Sequence, residues 1–179
     1  MADSNITKKA LAKALKDLME EKSFEKINVG DICEKCDMNR KSFYYHFKDK
    51  YDLVNWIFDT EVLSVVHKKS SEDAMETMRM LSEFFYENRR FYRKALSIKG
   101  QNSFPEHFRE LLFPFIANRL QDVLSENEVQ EFQVTFIADA IVMAFQRWII
   151  ENGEMSPEEF VKQVWLSIKY ISIRYGEKE

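Results

Sequence analysis

The stretch NVGDICEKCDMNRKSFYYHFKDK, residues 28–50, has the pattern of two short helices joined by a tight turn. Asn28 is a favourable N-cap residue, and Asp31 places a carboxylate in the first turn of the helix that follows, where the helix dipole favours a negative charge. Residues 37–39 form the break, because Asp37 tolerates a left-handed backbone, Met38 is apolar and can pack underneath, and Asn39 is a second N-cap. The stretch therefore predicts a helix-turn-helix whose second helix begins near Arg40.

The second helix of this pair has one apolar side and one polar side. At about 100° per residue, Phe43 and Phe47 fall on the same side, with Arg40 and His46 at its margin. The opposite side carries a cation, a hydroxyl and two phenols, which can bond to phosphate oxygens and base edges in a major groove. We predict DNA contacts from Asn39, Arg40, Lys41, Ser42, Tyr44, Tyr45, His46, Lys48 and Lys50. Of these, Lys50 is predicted to hold a phosphate beside the N-terminus of the next helix.

After a first helix, residues 7–53 contain the motifs V-G-D-I-C-E-K-C-D-M-N, F-Y-Y-H-F and K-D-K. These resemble the N-terminal domain of the TetR/AcrR-type transcriptional regulators, whose pattern is V-x-D-I-A-x-x-A-G-V-S, then F/L-Y-x-H-F and K-x-K. Cys33 and Cys36 stand where that pattern has small alanines. Asp37 replaces the turn glycine, which costs about 1 kcal/mol if the residue is left-handed. The resemblance implies an all-α protein with an N-terminal three-helix DNA-binding domain and a C-terminal helical dimerisation and ligand domain.

Three further segments narrow the resemblance. NITKKALAKAL, FYYHFKDKYDLVNWIF and ENRRFYRKAL are similar to the TetR-type subgroup described as dihydroxyacetone-kinase regulators. The best-known member of that subgroup activates transcription through a kinase-like protein partner rather than through a free inducer. The subgroup resemblance therefore informs the architecture more than the signal.

Composition agrees with a small helical regulator. The chain has 179 residues, 45% of them hydrophobic, with only 4 glycines and 3 prolines, which leaves long uninterrupted stretches with helical periodicity. Residues 1–50 hold 11 Lys and Arg against 9 Asp and Glu, whereas residues 51–179 hold 15 against 21. Only the N-terminal third is attractive to phosphate. Because this surplus is small, DNA binding requires the cations to cluster on one face of the domain. Charge alone is also typical of an ordinary solvated surface.

Targeting and metal signals are weak. The N-terminus MADSNITKK has no apolar core segment and no run of 18 apolar residues follows, so we expect a cytoplasmic protein without membrane contact and without a structural disulfide. Cys33-x-x-Cys36 is compatible with a redox pair or half of a zinc site. The other half is missing, because the histidines are scattered at His46, His67 and His107. Packing inside the helix-turn-helix is the alternative, and we predict no metal and no cofactor.

We predict two domains: residues 1–50 as the helix-turn-helix domain, with a connecting helix 50–66, and residues 67–179 as a dimerising and effector-sensing domain. The first helix is expected at 7–22, and a boundary loop at 67–73. The following elements are expected to be helices 73–87 and 88–97, a loop 97–108, a helix interrupted near Pro114, and helices 127–152 and 157–175. The last has the start signal Ser156-Pro157-Glu158-Glu159, with an N-cap serine and a glutamate able to close a capping box.

The last two helices have more apolar surface than a monomer is expected to expose. We predict a four-helix dimer interface made from two copies of the pair, an arrangement that resembles the usual one of the family. The interface residues are predicted to be Phe145, Trp148, Val161, Trp165 and Ile168. The alternative is that these side chains are buried within one chain.

Nine of the residues from Phe84 to Phe115 are aromatic, about twice the 14% of the whole chain. This density fits an effector pocket, and it fits a plain core equally well. The candidate effector-binding residues are Phe84, Arg89, Arg93, Phe104, Phe108 and Gln146. A protein co-regulator would instead use an exposed patch, which the charged and aromatic segment ENRRFYRK, residues 87–94, is able to supply.

These features predict a transcriptional regulator that binds an inverted-repeat operator on double-stranded DNA as a homodimer, under the control of an effector or partner. An enzyme of the helical-bundle type is the first rival. It is disfavoured because the chain has no Glu-x-x-His pair, no Gly-rich phosphate loop and no nucleophile with a nearby base. The second rival is a helical adaptor that has lost DNA binding, which only Asp37 and the small basic surplus support.

Overall fold

The computed structural model describes residues 2–68, 74–99, 104–124, 131–151 and 155–176. Within these ranges the chain forms nine α-helices and one 3-10 turn, and no strand, which confirms the all-α fold. The helices are α1 (Ala2–Glu21), α2 (Val29–Lys35), α3 (Arg40–His46), α4 (Lys50–Lys68), α5 (Ala74–Glu87), α6 (Arg89–Leu96), α7 (Phe104–Leu124), α8 (Glu131–Ile150) and α9 (Pro157–Gly176). The 3-10 turn, Phe24–Lys26, lies between α1 and α2.

Most predicted boundaries agree with these helices to within a few residues, although α1 begins five residues before the predicted start. Two predictions were wrong. The C-terminal part of the predicted loop 97–108 belongs to α7, because Pro105 lies in its first turn, where proline is tolerated. The helix is also not interrupted at Pro114. Proline leaves the carbonyl of Glu110, one turn earlier, without its helical hydrogen bond. Both residues are exposed, so water can reach that carbonyl. Residues 69–73, 100–103, 127–130 and 152 of the predicted segments lie outside the described residues.

Contacts divide the chain into two compact units, of which the first comprises Met1–Leu63 and Arg90–His107. Its core contains ten apolar residues from α1, the 3-10 turn and the helix-turn-helix: Leu11, Ala14, Leu15, Leu18, Met19, Phe24, Ile27, Ile32, Phe43 and Phe47. Phe58 of α4 extends this core, with the rings of Tyr92 and Phe104 centred 6.0 Å and 5.1 Å from its own.

The sequence predicts that residues 90–107 belong to the second domain. They group with the first unit because α6 packs on α1 and α4. The Tyr92 hydroxyl donates to Oε2 of Glu61 at 2.7 Å, and the Lys94 ammonium donates to the carbonyls of Met19 and Glu20 near the end of α1.

The second unit comprises Ser64–Arg89 and Phe108–Glu179, in which α5, α8 and α9 pack together. The Phe145 ring lies 6.0 Å from that of Phe85 and 4.8 Å from that of Phe160. The predicted start of α9 is confirmed, since Oγ of Ser156 accepts from the Glu159 N–H at 3.2 Å. The Glu159 carboxylate accepts instead from Nε2 of Gln163 at 2.6 Å, so that carboxylate is engaged further along α9.

Candidate nucleic-acid interface

A complete capping box starts α2. Oδ1 of Asn28 accepts from the Asp31 N–H at 3.1 Å, and Oδ2 of Asp31 accepts from the Asn28 N–H at 2.9 Å. Nζ of Lys22 donates to the same Asp31 oxygen at 2.8 Å, and these donors hold the pKa of Asp31 below its usual value. Two orphan N–H groups are thereby satisfied, which confirms the predicted start of the first helix of the motif.

The turn between α2 and α3 depends on one strained residue. Asp37 has a φ of 54°, and among the described residues it is the only non-glycine with a positive φ. The Met38 N–H donates to the Cys33 carbonyl at 2.9 Å, which closes the turn. The residue that replaces the turn glycine thus has a left-handed backbone.

The strain at Asp37 predicts opposite effects of two small substitutions. Asp37→Gly is expected to raise the free energy of unfolding by up to about 1 kcal/mol, since glycine adopts a left-handed backbone without steric conflict. Asp37→Ala is expected to lower it, because alanine has neither that freedom nor a polar side chain. Urea unfolding of the two variants checks this. A similar change in both would show that the backbone conformation is not the source of the effect.

Asn39 caps α3 and also accepts hydrogen bonds from Ser42, one of the predicted DNA contacts. Oδ1 of Asn39 accepts from the Ser42 N–H at 2.9 Å and from the Ser42 hydroxyl at 3.2 Å. The Ser42 hydroxyl therefore donates within the cap, and only its acceptor lone pairs remain for DNA. Ser42 is half-buried, in agreement with a position beside the outward face of the helix.

The outward face of α3 carries Lys41, Tyr44 and Tyr45, as the helical wheel predicts. Tyr44 and Tyr45 are 59% and 83% exposed, whereas Phe43 on the opposite face is fully buried. The Tyr44 ring stands edge-on to that of Phe43 at 5.5 Å, and the Tyr45 ring stands edge-on to that of half-buried His46 at 4.9 Å. A short helix thus presents two phenols and a cation to solvent, while buried Phe43 holds its opposite face in the core.

Lys50 departs from its predicted role. Its Nζ donates to the carbonyls of Phe24 and Ile27, both at 2.7 Å, and lies 3.4 Å from that of Glu25. The ammonium also lies 4.3 Å from the centre of the Phe24 ring, and burial lowers its pKa. Because an ammonium has three donors, these contacts leave none for a phosphate. Lys50 is a structural residue that ties the start of α4 to the 3-10 turn.

Replacing Lys50 is therefore expected to lower stability. Lys50→Met keeps the aliphatic stem but leaves two carbonyls without their charged donor, and we expect the free energy of unfolding to fall by about 1.5–3 kcal/mol. Lys48→Met is the matched control, since Lys48 is exposed and only two residues away. Urea unfolding of both variants tests the assignment. Equal stability of the two would return Lys50 to the list of DNA contacts.

The two cysteines are accounted for by packing. Cys33 is buried, and Cys36 is half-buried with its thiol donating to the Ile32 carbonyl at 3.2 Å. Burial raises the pKa of both thiols, which disfavours the reactive thiolate. In the described part of the chain, no group of three or more His, Cys, Asp or Glu side chains is arranged to hold a metal ion.

The predicted dimer residues separate into two groups. Phe145 and Val161 are buried inside the second unit, so their prediction as interface residues was wrong. Trp148, Trp165 and Ile168 are half-buried, and Trp148 stacks on Phe160 at 4.5 Å. The exposed apolar side chains of α8 are different ones: Phe132, Phe136, Met143 and Ile150. Hydrophobic content alone did not reveal which side of α8 packs within its own chain.

The predicted effector residues do not form one site in either unit. Arg93 and Phe104 belong to the first unit, while Phe84, Arg89, Phe108 and Gln146 belong to the second. Phe104 and Phe108 are fully buried against other aromatic rings, which favours the plain-core alternative for these two. An open cleft of about 530 Å³ lies elsewhere in the second unit and is lined by none of the six. Its lining residues are Ala140, Met143, Ala144, Arg147, Trp148, Glu151, Met155 and Phe160.

Together, the capped α2, the tight turn and the exposed polar face of α3 define a helix-turn-helix protein of the DNA-binding class. Residues 11–57 match the family model described as bacterial regulatory proteins, tetR family. Residues 72–169 match the model of a transcriptional regulator C-terminal region of the same family. The chain belongs to the TetR family of transcriptional regulators.

Individual relatives agree with this assignment. The chain is 27% identical over 180 residues to the HTH-type dhaKLM operon transcriptional activator DhaS of Lactococcus lactis. The matched region covers 97% of this chain and 95% of the relative. A solved structure of the dihydroxyacetone kinase operon activator DhaS superposes with a TM-score of 0.67 at 27% identity, over 94% of this chain and 97% of that one. A TetR transcriptional regulator from Streptococcus agalactiae shares the fold, with a TM-score of 0.73 at 20% identity over 93% and 96% of the two chains.

Proposed function

We propose that this TetR-family regulator binds a specific inverted-repeat operator as a homodimer, with α3 in the major groove. The observation that carries the proposal is the outward face of α3, where Lys41, Tyr44 and Tyr45 are exposed while Phe43 anchors the helix in the core. Phenols and ammonium groups bond to base edges and phosphates, and a major groove accommodates a helix.

The apolar side of α8 supports the homodimer. Phe132 and Phe136 are 73% and 59% exposed, and their rings stack at 6.3 Å. Met143 and Ile150 continue this exposed row along the helix. By length and composition alone, α8 is also the one helix of the described residues that is apolar enough to cross a membrane. A face of this kind in a TetR-family chain is better explained by a second copy, which covers it through a two-fold axis.

Binding of an effector or partner is proposed to change DNA affinity through the distance between the two helix-turn-helix domains of the dimer. A small-molecule effector or a protein co-regulator shifts the DNA affinity only if it binds more tightly to the dimer with one domain separation than to the dimer with another. Arg90 and Arg93 are exposed on α6 and fit an acidic partner surface. The similarity to an operon activator supports a role in activating transcription, and the DNA that this chain controls is identified by the experiment below.

Selection of DNA tests the proposal. The purified protein is incubated with sheared genomic DNA from its own source at about 50 mM salt, and the retained fragments are sequenced. We expect enrichment of a few fragments that share an inverted repeat, with affinity falling steeply as salt is raised. The variant Lys41→Ala/Tyr45→Ala is the control and should enrich none of them. Retention of no fragment by the unsubstituted protein would instead favour a helical adaptor that has lost DNA binding.

A further inference from the structure

Gly30 stands at a position where glycine is unfavourable for the helix itself. It is the second residue of α2, and its φ is outside the left-handed region that favours glycine. Alanine is the better helix former at such a position, because glycine loses more backbone freedom on folding. The backbone therefore does not explain this residue, and the explanation has to come from what lies above its Cα.

The space above Gly30 is filled by the side chain of Arg40. A Cβ built on Gly30 would lie 2.6 Å from Nη2 and 3.3 Å from Cζ of Arg40, and 2.8 Å from Oδ1 of Asn28. The first and last of these distances are too short for real atoms, so alanine would displace the guanidinium. The Arg40 charge also opposes the burial-driven rise in the pKa of Cys33, one turn further along α2. Both observations place the guanidinium along the same side of α2.

Arg40 belongs to α3 but leans away from its outward face. The residues on that face are Lys41, Tyr44 and Tyr45, whereas the Arg40 guanidinium crosses to the first turn of α2 while the side chain stays exposed. No carboxylate of the described residues pairs with Arg40. In helix-turn-helix proteins the second helix enters the groove while the first crosses the DNA backbone. A cation lying on the first helix is therefore placed for a phosphate rather than for a base.

We propose that Gly30 is a positioning residue for Arg40: its missing side chain lets the guanidinium lie across α2, where it binds a phosphate of the operator backbone. This inference rests on the proposed DNA-binding function and deepens it. A guanidinium binds phosphate through two parallel N–H donors, so its orientation matters more than that of an ammonium. Gly30 supplies that orientation without touching DNA.

A double-mutant cycle tests the link between the two residues. The full-length protein, Gly30→Ala, Arg40→Ala and the double variant are compared by thermal unfolding and by anisotropy titration of a retained genomic fragment at several salt concentrations. Arg40→Ala should weaken binding to every retained fragment about tenfold and lower the salt slope by about 1. Gly30→Ala should weaken binding in the same way. Its unfolding midpoint should stay close to that of the unsubstituted protein, because the gain from alanine as a helix former opposes the crowding of the Asn28 cap oxygen. The double variant should match Arg40→Ala alone.

Three results would overturn the inference. The first is that Gly30→Ala binds as tightly as the unsubstituted protein. The second is that Gly30→Ala weakens binding further in the Arg40→Ala background, and the third is that it lowers the unfolding midpoint by several degrees. Failure of the proposed function is seen separately, because then the unsubstituted protein retains no fragment at all. A normal selection with the unsubstituted protein, followed by additive effects of the two substitutions, contradicts only the role of Gly30.

Discussion

Met143→Glu is expected to yield a monomer whose affinity for an inverted-repeat operator is about a hundredfold lower or worse. Met143 is 56% exposed at the middle of α8 and lines the cleft between α8 and α9. In a dimer that covers this face, a glutamate would be buried without a partner, which costs several kcal/mol. A monomer also loses the gain in affinity that comes from joining two DNA-binding domains in one molecule. Sedimentation velocity gives the oligomeric state, and an anisotropy titration gives the affinity.

The control for this change is another exposed methionine. Met75→Glu places the same charge on α5, where the proposed interface predicts no effect on oligomeric state. Met143 is a better test than Trp148, because Trp148 stacks on Phe160 within its own chain and its loss would also disturb the fold. A dimeric Met143→Glu variant would place the interface on a different face.

Phe108→Ala is expected to lower the free energy of unfolding by about 3–5 kcal/mol. Phe108 is fully buried, and its ring lies 5.4 Å from that of Phe85. Truncation leaves a cavity that close-packed neighbours fill only in part. Urea unfolding measures the loss. The matched control is Tyr45→Ala, whose 83% exposed ring lies outside the proposed dimer face and should contribute no more than about 0.5 kcal/mol to the stability of the chain. A loss below about 1 kcal/mol at Phe108 would revive the interpretation of this residue as the lining of an effector pocket.

The helix-turn-helix could be predicted from the sequence because its signals are local. Asn28 with Asp31, and Asn39 with Ser42, act within three residues of each other, and the spacing of Phe43 and Phe47 shows which side of α3 is buried. The fold class followed from the same kind of short-range pattern. Family resemblance added the expectation of a second helical domain.

The role of Lys50 could not be predicted in this way. A lysine at the start of a helix is typical of a phosphate contact, but its partners here are carbonyls 23 to 26 residues earlier in the chain. The same limit applies to α8, where an apolar residue on either side fits the composition equally well. Only the packing of α5 and α9 distinguishes buried Phe145 from exposed Phe136.

Gly30 illustrates a different limit. Its effect lies in an atom that is absent, and the residue that uses the space, Arg40, is ten positions away. The helical wheel correctly placed Arg40 at the margin of the buried side but carried no information about the neighbouring helix. The distances from a Cβ built on Gly30 were needed to connect the two residues.

The central claim is that the outward face of α3 binds DNA, and the affinity of Lys41→Ala/Tyr45→Ala for a retained genomic fragment tests it most directly. Both side chains are exposed, so the variant should unfold at the same temperature as the unsubstituted protein and remain dimeric. We predict that its affinity falls about a hundredfold and that its salt slope decreases by about 1. An unchanged affinity in a folded, dimeric variant would contradict the claim.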